Sequence, residues 1–349
     1  AAVAGPVGLP PPRTFMFDPA ALVASRIAVE AGTNLAVTET YQMLARAANG
    51  LLPPSSGWAA KTGPWSVINK TLALPEGVSR NEYLSIGIYN HPCNALPPKC
   101  KPYPGGHLLP PAQCDNASGL PWEPCDGIRN PDAIAEGDAP RAGAMMAAVR
   151  TLALASFLCN ESGTVCDRWA ARAAVLLRTW YLDPATAMEP NLWFGQIMPR
   201  QAPPPKGHGG FIEWTGTAAL LDHVELLHVA APTAWTEADH TGFLKWYASF
   251  LEYMGSAPAA GERGMTNNHG TWFDVMWQAV ALRLGNASVA TKAAAEVATK
   301  RIDTQILSDG REWIELERAN PSGYCEYNLQ ALVLNADIAK NGGTADLWG

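Results

Sequence analysis

From Ala139 onward the sequence is a succession of segments in which apolar residues recur at positions i, i+3, i+4 and i+7. This spacing places apolar side chains on one face of an α-helix, whereas a half-buried strand alternates with a period of two. Val, Ile and Thr do not cluster into such alternating runs. The helical pattern covers residues 139–158, 166–182, 215–230, 237–255, 270–285, 289–307 and 326–342. Because the links between these segments are short, the pattern predicts an all-α fold of antiparallel helix hairpins.

Two more helices are predicted near the N-terminus, over residues 18–31 and 34–49. Farther along, Thr236 followed by Glu237 and Asp239 has the composition of a helix start. No sequence repeat of fixed period is visible, so a repeat solenoid is not required. With 48% apolar and only 16% charged residues, the chain can bury a large core, and we treat residues 1–349 as one domain.

Residues 50–138 differ from the rest because they are rich in Pro, Gly and Cys and carry little periodicity. A loop region of this length is unusual in a compact domain and is often functional. Six of the seven cysteines suit three disulfides, for which 15 pairings are open. We expect the local pairs Cys93–Cys100, Cys114–Cys125 and Cys159–Cys166, which leave Cys325 as a buried free thiol. Zinc is the alternative for the loop cysteines, but their spacings lack a C-x2–4-C element.

The start of the chain and its sequons predict a secreted, extracellular protein. It begins AAVAGPVGLPPP, without Met, which is typical of a mature chain whose signal peptide has been removed. N-linked glycans are predicted at the Asn-x-Ser/Thr sites Asn69, Asn116, Asn160 and Asn286. The sequence contains no apolar run that we expect to span a bilayer. The formal net charge of −7 argues against a nucleic-acid binder, although a local cationic cluster could still bind an anion.

Two short polar segments, each placed just ahead of a helix, are the best candidates for chemistry. In Asn267-Asn268-His269, side-chain donors join the unpaired N–H groups of a helix start, where anions bind. The alternative is a plain capping loop with Asn268 as the N-cap. In the second segment, Arg318 could bind a carboxylate bidentately, and Tyr324 could shuttle a proton if a cation lowers its pKa. The alternative there is an Arg–Glu ion pair beside a packed aromatic ring.

A third segment, from Asn191 to Arg200, contains Trp193 and Gln196. Trp rings stack on sugar rings and amides hydrogen-bond to hydroxyls, so this segment is a candidate carbohydrate-binding wall. The chain contains 13 Trp, however, and we expect most of them to lie in the core.

Taken together, these segments resemble the alginate-lyase family of helical polysaccharide lyases, which includes poly-mannuronate lyases and their glucuronan-cleaving relatives. The similar motifs lie at 63–70, 82–92, 120–122 with 126–127 and 130–131, 176–184, 191–196, 234–236, 267–272, 305–310 and 346–348. The resemblance implies an incomplete (α/α) toroid with a deep groove bordered by residues 50–138, no metal and no cofactor. It implies catalytic roles for Asn268, His269, Arg318 and Tyr324. It also implies that an anionic polysaccharide contacts Tyr89, His91, Trp193, Gln196, Asn267 and Trp272.

The sequence departs from the family pattern beside the predicted groove. Tyr89 is followed by Asn90-His91, where many relatives carry aromatic residues, and the cysteine-rich insertion after Pro92 is unusual. Both departures fall where the substrate subsites are expected, so they bear on which uronate is preferred.

The chemistry implied by the resemblance is β-elimination. A base removes the proton on C5 of a uronate, next to its carboxylate, and the C4–O bond then breaks. We expect Asn268 and His269 to neutralise the carboxylate, Arg318 to keep the local field positive, and a partly ionised Tyr324 to take the proton. In β-1,4-linked mannuronate and glucuronate, the C5 hydrogen and O4 share one side, so one tyrosine can serve as base and then acid. His269 is the competing base, and its position would suit guluronate.

The preferred uronate is open, because mannuronate and glucuronate differ only at C2, away from the reacting atoms. We place glucuronan slightly ahead of mannuronate-rich alginate, because the Arg-to-Tyr spacing and the Gly-Thr-Trp after His269 are closer to glucuronan-active relatives.

Three other functions are weighed against the lyase. A glycoside hydrolase needs two opposed carboxylates, and Glu213, Glu262, Glu315 and Glu317 form no persuasive pair in sequence. A metal enzyme would draw on the histidines, but His223 and His228 are five residues apart and face different sides of a helix. The other two histidines considered for that metal site are His208 and His240. A non-catalytic polyuronate-binding protein would not need all four catalytic candidates.

Overall fold

The computed structural model describes residues 11–54, 79–135, 137–159, 164–198 and 209–348. The motif at 63–70, His208 and the sequons at Asn69 and Asn160 lie outside these residues. The helices are α1 (Pro19–Ala31), α2 (Leu35–Gly50), α3 (Pro131–Ala135), α4 (Ala139–Leu158), α5 (Thr164–Tyr181), α6 (Thr217–Ala230), α7 (Glu237–Met254), α8 (Ala260–Arg263), α9 (Asn268–Arg283), α10 (Ala287–Val297), α11 (Asp303–Gln305) and α12 (Pro321–Asn341). The strands are β1 (Leu84–Ile86), β2 (Asn90–Pro92), β3 (Trp122–Pro124) and β4 (Phe194–Ile197).

The predicted all-α class is confirmed, and the helices form an incomplete (α/α) toroid. Helices α4, α6 and α9 are buried on most of their faces and pack in series, α4 on α6 and α6 on α9. Helix α5 packs on α4, and α10 and α12 pack on α9. Helices α7 and α10 bury one face each, as their apolar spacing predicted. A continuous cluster of buried apolar side chains extends from Phe15 to Ile338.

Helix ends follow the sequence signals with two differences. Thr236 caps α7 as predicted, and it forms a capping box in which its hydroxyl accepts from the Asp239 N–H. Helix α9 is capped by Asn267, not by Asn268, because the Asn267 Oδ1 accepts from the His269 N–H. The helix expected over 289–307 is interrupted, since a π-turn at Ala298–Ile302 separates α10 from α11.

In its described part, the loop region between α2 and α4 contains three short strands and the five-residue helix α3. Strand β1 pairs in parallel with β4, and β2 pairs antiparallel with β3, so that His91 faces Glu123. This pairing brings the two ends of the cysteine-rich loop together.

Two of the three expected disulfides are therefore wrong. Cys93 pairs with Cys114 and Cys100 pairs with Cys125, because the β2–β3 ladder aligns distant parts of the loop. The Cys159–Cys166 pair is as predicted, and Cys325 is free, although it is half-buried rather than buried.

Among the described residues, α4 is long and apolar enough to cross a membrane by length and composition. This differs from the expectation that no run reaches that length. About 61% of its most apolar stretch is buried inside the protein, as in a core helix.

We predict that the stability of the fold depends on pH because of His223. It lies buried in α6, and burial lowers its pKa to about 4, with Arg150 adding to the effect and a contact to the Ala219 carbonyl opposing it. In the unfolded chain its pKa is about 6.5. The stability gained by keeping the ring neutral is therefore complete above pH 6.5 and is lost as the pH falls from about 6.5 to 4.

We expect His223→Gln to remove this dependence. Between pH 8 and pH 5, the wild-type free energy of unfolding should fall by about 2 kcal/mol more than that of the variant. Urea titrations at both pH values measure the difference. Equal losses in the two proteins would show that His223 is not the group that titrates.

Candidate active site

The two predicted polar segments meet where α9 and α12 begin. These two helices pack against each other, and the turn that ends at Arg318 leads into α12. Gly270, in the first turn of α9, has the Met265 carbonyl and the Arg301 guanidinium directly against it, so no side chain fits there. The glycine after His269 thus lets the preceding loop close over the helix start.

Asn268 is buried, and its donors are already used. Its backbone N–H donates to Glu315 Oε1 at 2.7 Å, and its Nδ2 donates to Oε1 at 2.9 Å and to Oε2 at 3.0 Å. Both side chains are only 1% exposed. The anion at the α9 N-terminus is therefore the protein's own Glu315, which differs from the expectation that these donors face the substrate.

His269 is the member of this segment that a ligand can reach. Its Nδ1 lies 2.6 Å from Glu262 Oε1, and its side chain is 25% exposed while that of Glu262 is 1% exposed. A carboxylate can only accept, so Nδ1 carries the hydrogen and Nε2 is left for a ligand. Glu262 thereby fixes the orientation of the ring and its tautomer.

Arg318 is a cation bound in a salt bridge to another protein side chain. Its Nε lies 3.0 Å from Asp126 Oδ2 and its Nη2 lies 2.5 Å from Oδ1, and both side chains are buried. Although burial raises the pKa of the Asp126 carboxyl, hydrogen bonds from Arg318 and the Ala319 N–H hold it below its usual value. Arg318 is thus part of an ion pair with Asp126, whereas the role expected from the sequence rests on its positive charge alone. Among the described residues, Nη1 donates to no acceptor, unlike Nε and Nη2.

Tyr324 lies against the face of Arg318. The guanidinium carbon is 3.7 Å from the centre of the Tyr324 ring, a cation–π contact, and 5.3 Å from the ring of Tyr103. Burial and the neighbouring Tyr89 raise the pKa of the Tyr324 hydroxyl, and Arg318 offsets this only in part. The direction of this pKa shift is opposite to the one that a partly ionised phenol requires.

Four of the predicted substrate-binding residues differ in burial and in the groups they contact: Tyr89, His91, Asn267 and Trp272. Tyr89 is half-buried and close to Tyr324. His91 is buried, with Nε2 at 3.0 Å from the Ile128 carbonyl, and Trp272 is 4% exposed and packs on Tyr327 with ring centres 5.0 Å apart. Asn267 is half-buried and serves as the α9 cap. His91 and Trp272 are thus buried against protein groups in this structure.

Trp193 and Gln196 lie on the segment that contains β4. Trp193 is half-buried, and its ring centre is 5.4 Å from that of Tyr253. Burial raises the pKa of Tyr253, and the charge of Glu262, the partner of His269, adds to the rise. Gln196 has a left-handed backbone with φ of 53°, and its N–H donates to Ser85 Oγ at 2.7 Å.

Beneath Gln196 lies the buried carboxyl of Glu213. It accepts hydrogen bonds from Tyr83 at 2.5 Å and from Ser85 at 2.6 Å. Burial raises its pKa to about 7, against the opposing effect of these hydrogen bonds and one from Gln196. The Gln196 amide is thus directed at Glu213 rather than left free for a sugar hydroxyl.

Three buried carboxylates therefore hold three of the four predicted catalytic residues, and sequence reasoning did not assign them this role. Glu315 holds Asn268, Glu262 holds His269, and Asp126 holds Arg318. One available signal was Glu262, only seven residues before His269. Asp126 stands in a motif next to a cysteine but 192 residues from Arg318, too far for local reasoning.

The carboxylates considered for a hydrolase are committed to other contacts or exposed. Glu213, Glu262 and Glu315 are each hydrogen-bonded to protein groups, and Glu317 faces solvent. Among the histidines, His228 stacks on His240 with ring centres 4.1 Å apart, whereas His223 contacts Phe17. In the part of the chain that the structure describes, no group of three or more His, Cys, Asp or Glu could hold a metal ion.

The comparisons with known proteins identify the family of the chain. The family model described as "Alginate lyase" matches residues 67–349. Among solved structures, the chain is similar to an alginate lyase from Bacteroides ovatus, with a TM-score of 0.80 and 28% sequence identity over 97% of this chain and 78% of that one. No match was found among curated proteins. The chain therefore belongs to the alginate lyase family, and it is a polysaccharide lyase.

Proposed function

We propose that this protein cleaves β-1,4-linked polyuronates by syn β-elimination and leaves 4,5-unsaturated uronate ends. The observation that carries the proposal is the Arg318–Tyr324 contact of 3.7 Å, placed next to the turn whose Glu315 holds Asn268. Donors suited to a uronate carboxylate and a phenol suited to proton transfer thus converge at the start of two packed helices.

The side-chain atoms that can still form hydrogen bonds suggest which residues bind the substrate and which one transfers the proton. Arg318 Nη1 is a donor that would bind and neutralise the carboxylate next to C5, and His269 Nε2 would donate to the same carboxylate only when the ring carries a hydrogen on both nitrogens. Asn268 acts mainly through Glu315, which fixes the first turn of α9. Tyr324 would take the C5 proton as phenolate, and the same hydroxyl would then protonate O4 of the leaving sugar.

The preferred substrate is tested by a screen on polymannuronate, polyguluronate and glucuronan. Unsaturated uronate ends absorb ultraviolet light, so the initial rise in absorbance gives the rate on each polymer. We expect the highest rate on glucuronan, a measurable rate on polymannuronate and little on polyguluronate, whose C5 configuration requires a base on the other face. No absorbance change on any of the three polymers would contradict the proposed function.

The raised pKa of Tyr324 predicts the pH dependence of the reaction. Below that pKa, the phenolate fraction grows tenfold with each pH unit. We therefore expect log kcat/KM to rise without a plateau between about pH 6 and pH 9. Rates on one polymer in overlapping buffers give the profile, and a plateau within this range would contradict Tyr324 as the base.

We also propose that the protein is secreted, because its three disulfides suit an oxidising compartment. Two of the predicted glycan sites can be located. Asn116 is exposed in the cysteine-rich loop, and Asn286 is exposed as the cap of α10, where its Oδ1 accepts from the Val289 N–H. Glycan removal followed by mass measurement of the native protein tests both sites.

A further inference from the structure

The cysteine-rich loop, with the residues that directly follow β3, contacts the candidate active site through the ring of Tyr103 and the carboxylate of Asp126. Asp126 directly follows Cys125, which is bonded to Cys100. We propose that Asp126 is a positioning residue for Arg318 and that the Cys100–Cys125 disulfide holds Asp126 in place. This inference rests on the proposed function, because Arg318 matters only if the site performs elimination.

The contact between Asp126 and the α12 turn leaves Arg318 little freedom. The carboxylate accepts from Nε, Nη2 and the Ala319 N–H, the last at 2.8 Å, so it fixes both the guanidinium and the backbone beside it. With two nitrogens held in a planar fork, the remaining Nη1 has a defined direction. The same fork sets the ring of Tyr324 against the guanidinium at 3.7 Å.

The loop holds Asp126 through covalent and backbone bonds. The Asp126 N–H donates to the Lys101 carbonyl at 2.8 Å, next to the disulfide partner Cys100. The Cys125 N–H donates to the Tyr89 carbonyl at 2.7 Å. The Cys100–Cys125 disulfide therefore also helps to fix Tyr89, the residue that faces Tyr324. Cutting the disulfide would therefore loosen two neighbours of the phenol together.

Gly127 permits this close approach. Its φ of 73° lies in the left-handed region, and a Cβ at this position would lie 2.9 Å from Ala319 Cβ. A larger residue would push the loop away from the turn that carries Arg318. The glycine, the carboxylate and the disulfide thus form one local unit that contacts the α12 turn at Arg318 and Ala319.

The first test compares Asp126→Asn with a matched control, Asp239→Asn. Asp239 also makes two side-chain hydrogen bonds to an arginine, Arg178, at 2.8 and 2.6 Å, but on α7. We expect Asp126→Asn to lower kcat by about 10- to 100-fold with KM nearly unchanged, because the arginine loses its alignment. Asp239→Asn should keep the wild-type kcat. A wild-type kcat in folded Asp126→Asn would overturn the inference.

The second test separates positioning from a merely structural role. In an Arg318→Lys background, Asp126→Asn should lower kcat by less than about threefold, because the group that it positions is gone. If Arg318→Lys and Asp126→Asn instead lowered kcat by independent factors that multiply in the double variant, the proposal would be contradicted. The double variant Cys100→Ser/Cys125→Ser should lower kcat as Asp126→Asn does, whereas Cys159→Ser/Cys166→Ser should not. If Asp126→Asn does not fold, the comparison of these two double cysteine variants tests the positioning role.

The two proposals fail in different ways. If the wild type releases no unsaturated ends from any polyuronate, the proposed function is wrong. If the wild type is active and the Asp126 and Cys100/Cys125 variants match it, only the positioning role is wrong.

Discussion

Replacing Tyr324 with Phe should abolish turnover and leave polymer binding nearly intact. The substitution removes only the hydroxyl, while the ring keeps its place against the Arg318 guanidinium at 3.7 Å. Positioned proton transfer contributes about 100- to 10,000-fold, and one hydroxyl serves here as both base and acid, so we expect kcat to fall at least about 1,000-fold. The release of unsaturated ends and the retardation of the protein in gels that contain the polymer measure the two effects.

Tyr247→Phe is the control for this experiment. It removes a hydroxyl in the helical core, where Tyr247 lies 3.4 Å from the Tyr181 hydroxyl. We expect a small loss of stability and the wild-type kcat. If Tyr324→Phe instead keeps most of its rate while remaining folded, Tyr324 is neither the base nor the acid, and His269 becomes the candidate base.

Replacing Arg318 with Lys should be nearly as severe, although the charge is kept. An ammonium group cannot hold both Asp126 oxygens, stack on Tyr324 and still present a third nitrogen to the substrate. We expect kcat to fall by about 100-fold, in line with the loss of one fixed donor to a developing anion. Initial rates at saturating polymer, with thermal unfolding to confirm the fold, give the result.

Arg178→Lys provides the comparison for Arg318→Lys. Arg178 is also bound by one aspartate through Nε and Nη2, and its side chain is 40% exposed. Its replacement should cost little stability and no activity, since exposed ion pairs contribute about 0.2–1 kcal/mol. Equal losses of rate in the two lysine variants would mean that Arg318 acts only through the fold.

Much of the helical architecture could be predicted because it depends on local spacing. The α7 cap at Thr236 and the one-sided burial of α10 follow from residues near each other in sequence. The π-turn at Ala298–Ile302 could not be seen this way, since the apolar period continues through it. The cap of α9 differed by one residue because two adjacent asparagines are equally good caps.

The candidate site was predicted as a set of residues but not as an arrangement. The motifs named Asn268, His269, Arg318 and Tyr324, yet the groups that hold them come from other parts of the chain. Asp126 lies 192 residues before Arg318, and Glu315 lies 47 residues after Asn268. Such pairings depend on the packing of α9 and α12 and on the disulfide-bonded loop.

The direction of the Tyr324 pKa shift could not be predicted from the sequence either. From sequence, a nearby cation suggests a lowered pKa, but burial beside Tyr89 outweighs Arg318 and raises it. Burial depends on the whole fold, so its effect on a titrating group becomes visible only once the walls of the site are known. The disulfides failed for a related reason, because the β2–β3 register aligns cysteines that are far apart in the loop.

The most direct test of elimination is to digest glucuronan and polymannuronate in water enriched in heavy oxygen and weigh the products. Elimination breaks the C4–O bond without water, so we predict oligosaccharides one water molecule lighter than hydrolysis products, with no heavy oxygen incorporated during cleavage. Products that carry one heavy oxygen per cut and lack ultraviolet absorbance would show hydrolysis and contradict the account.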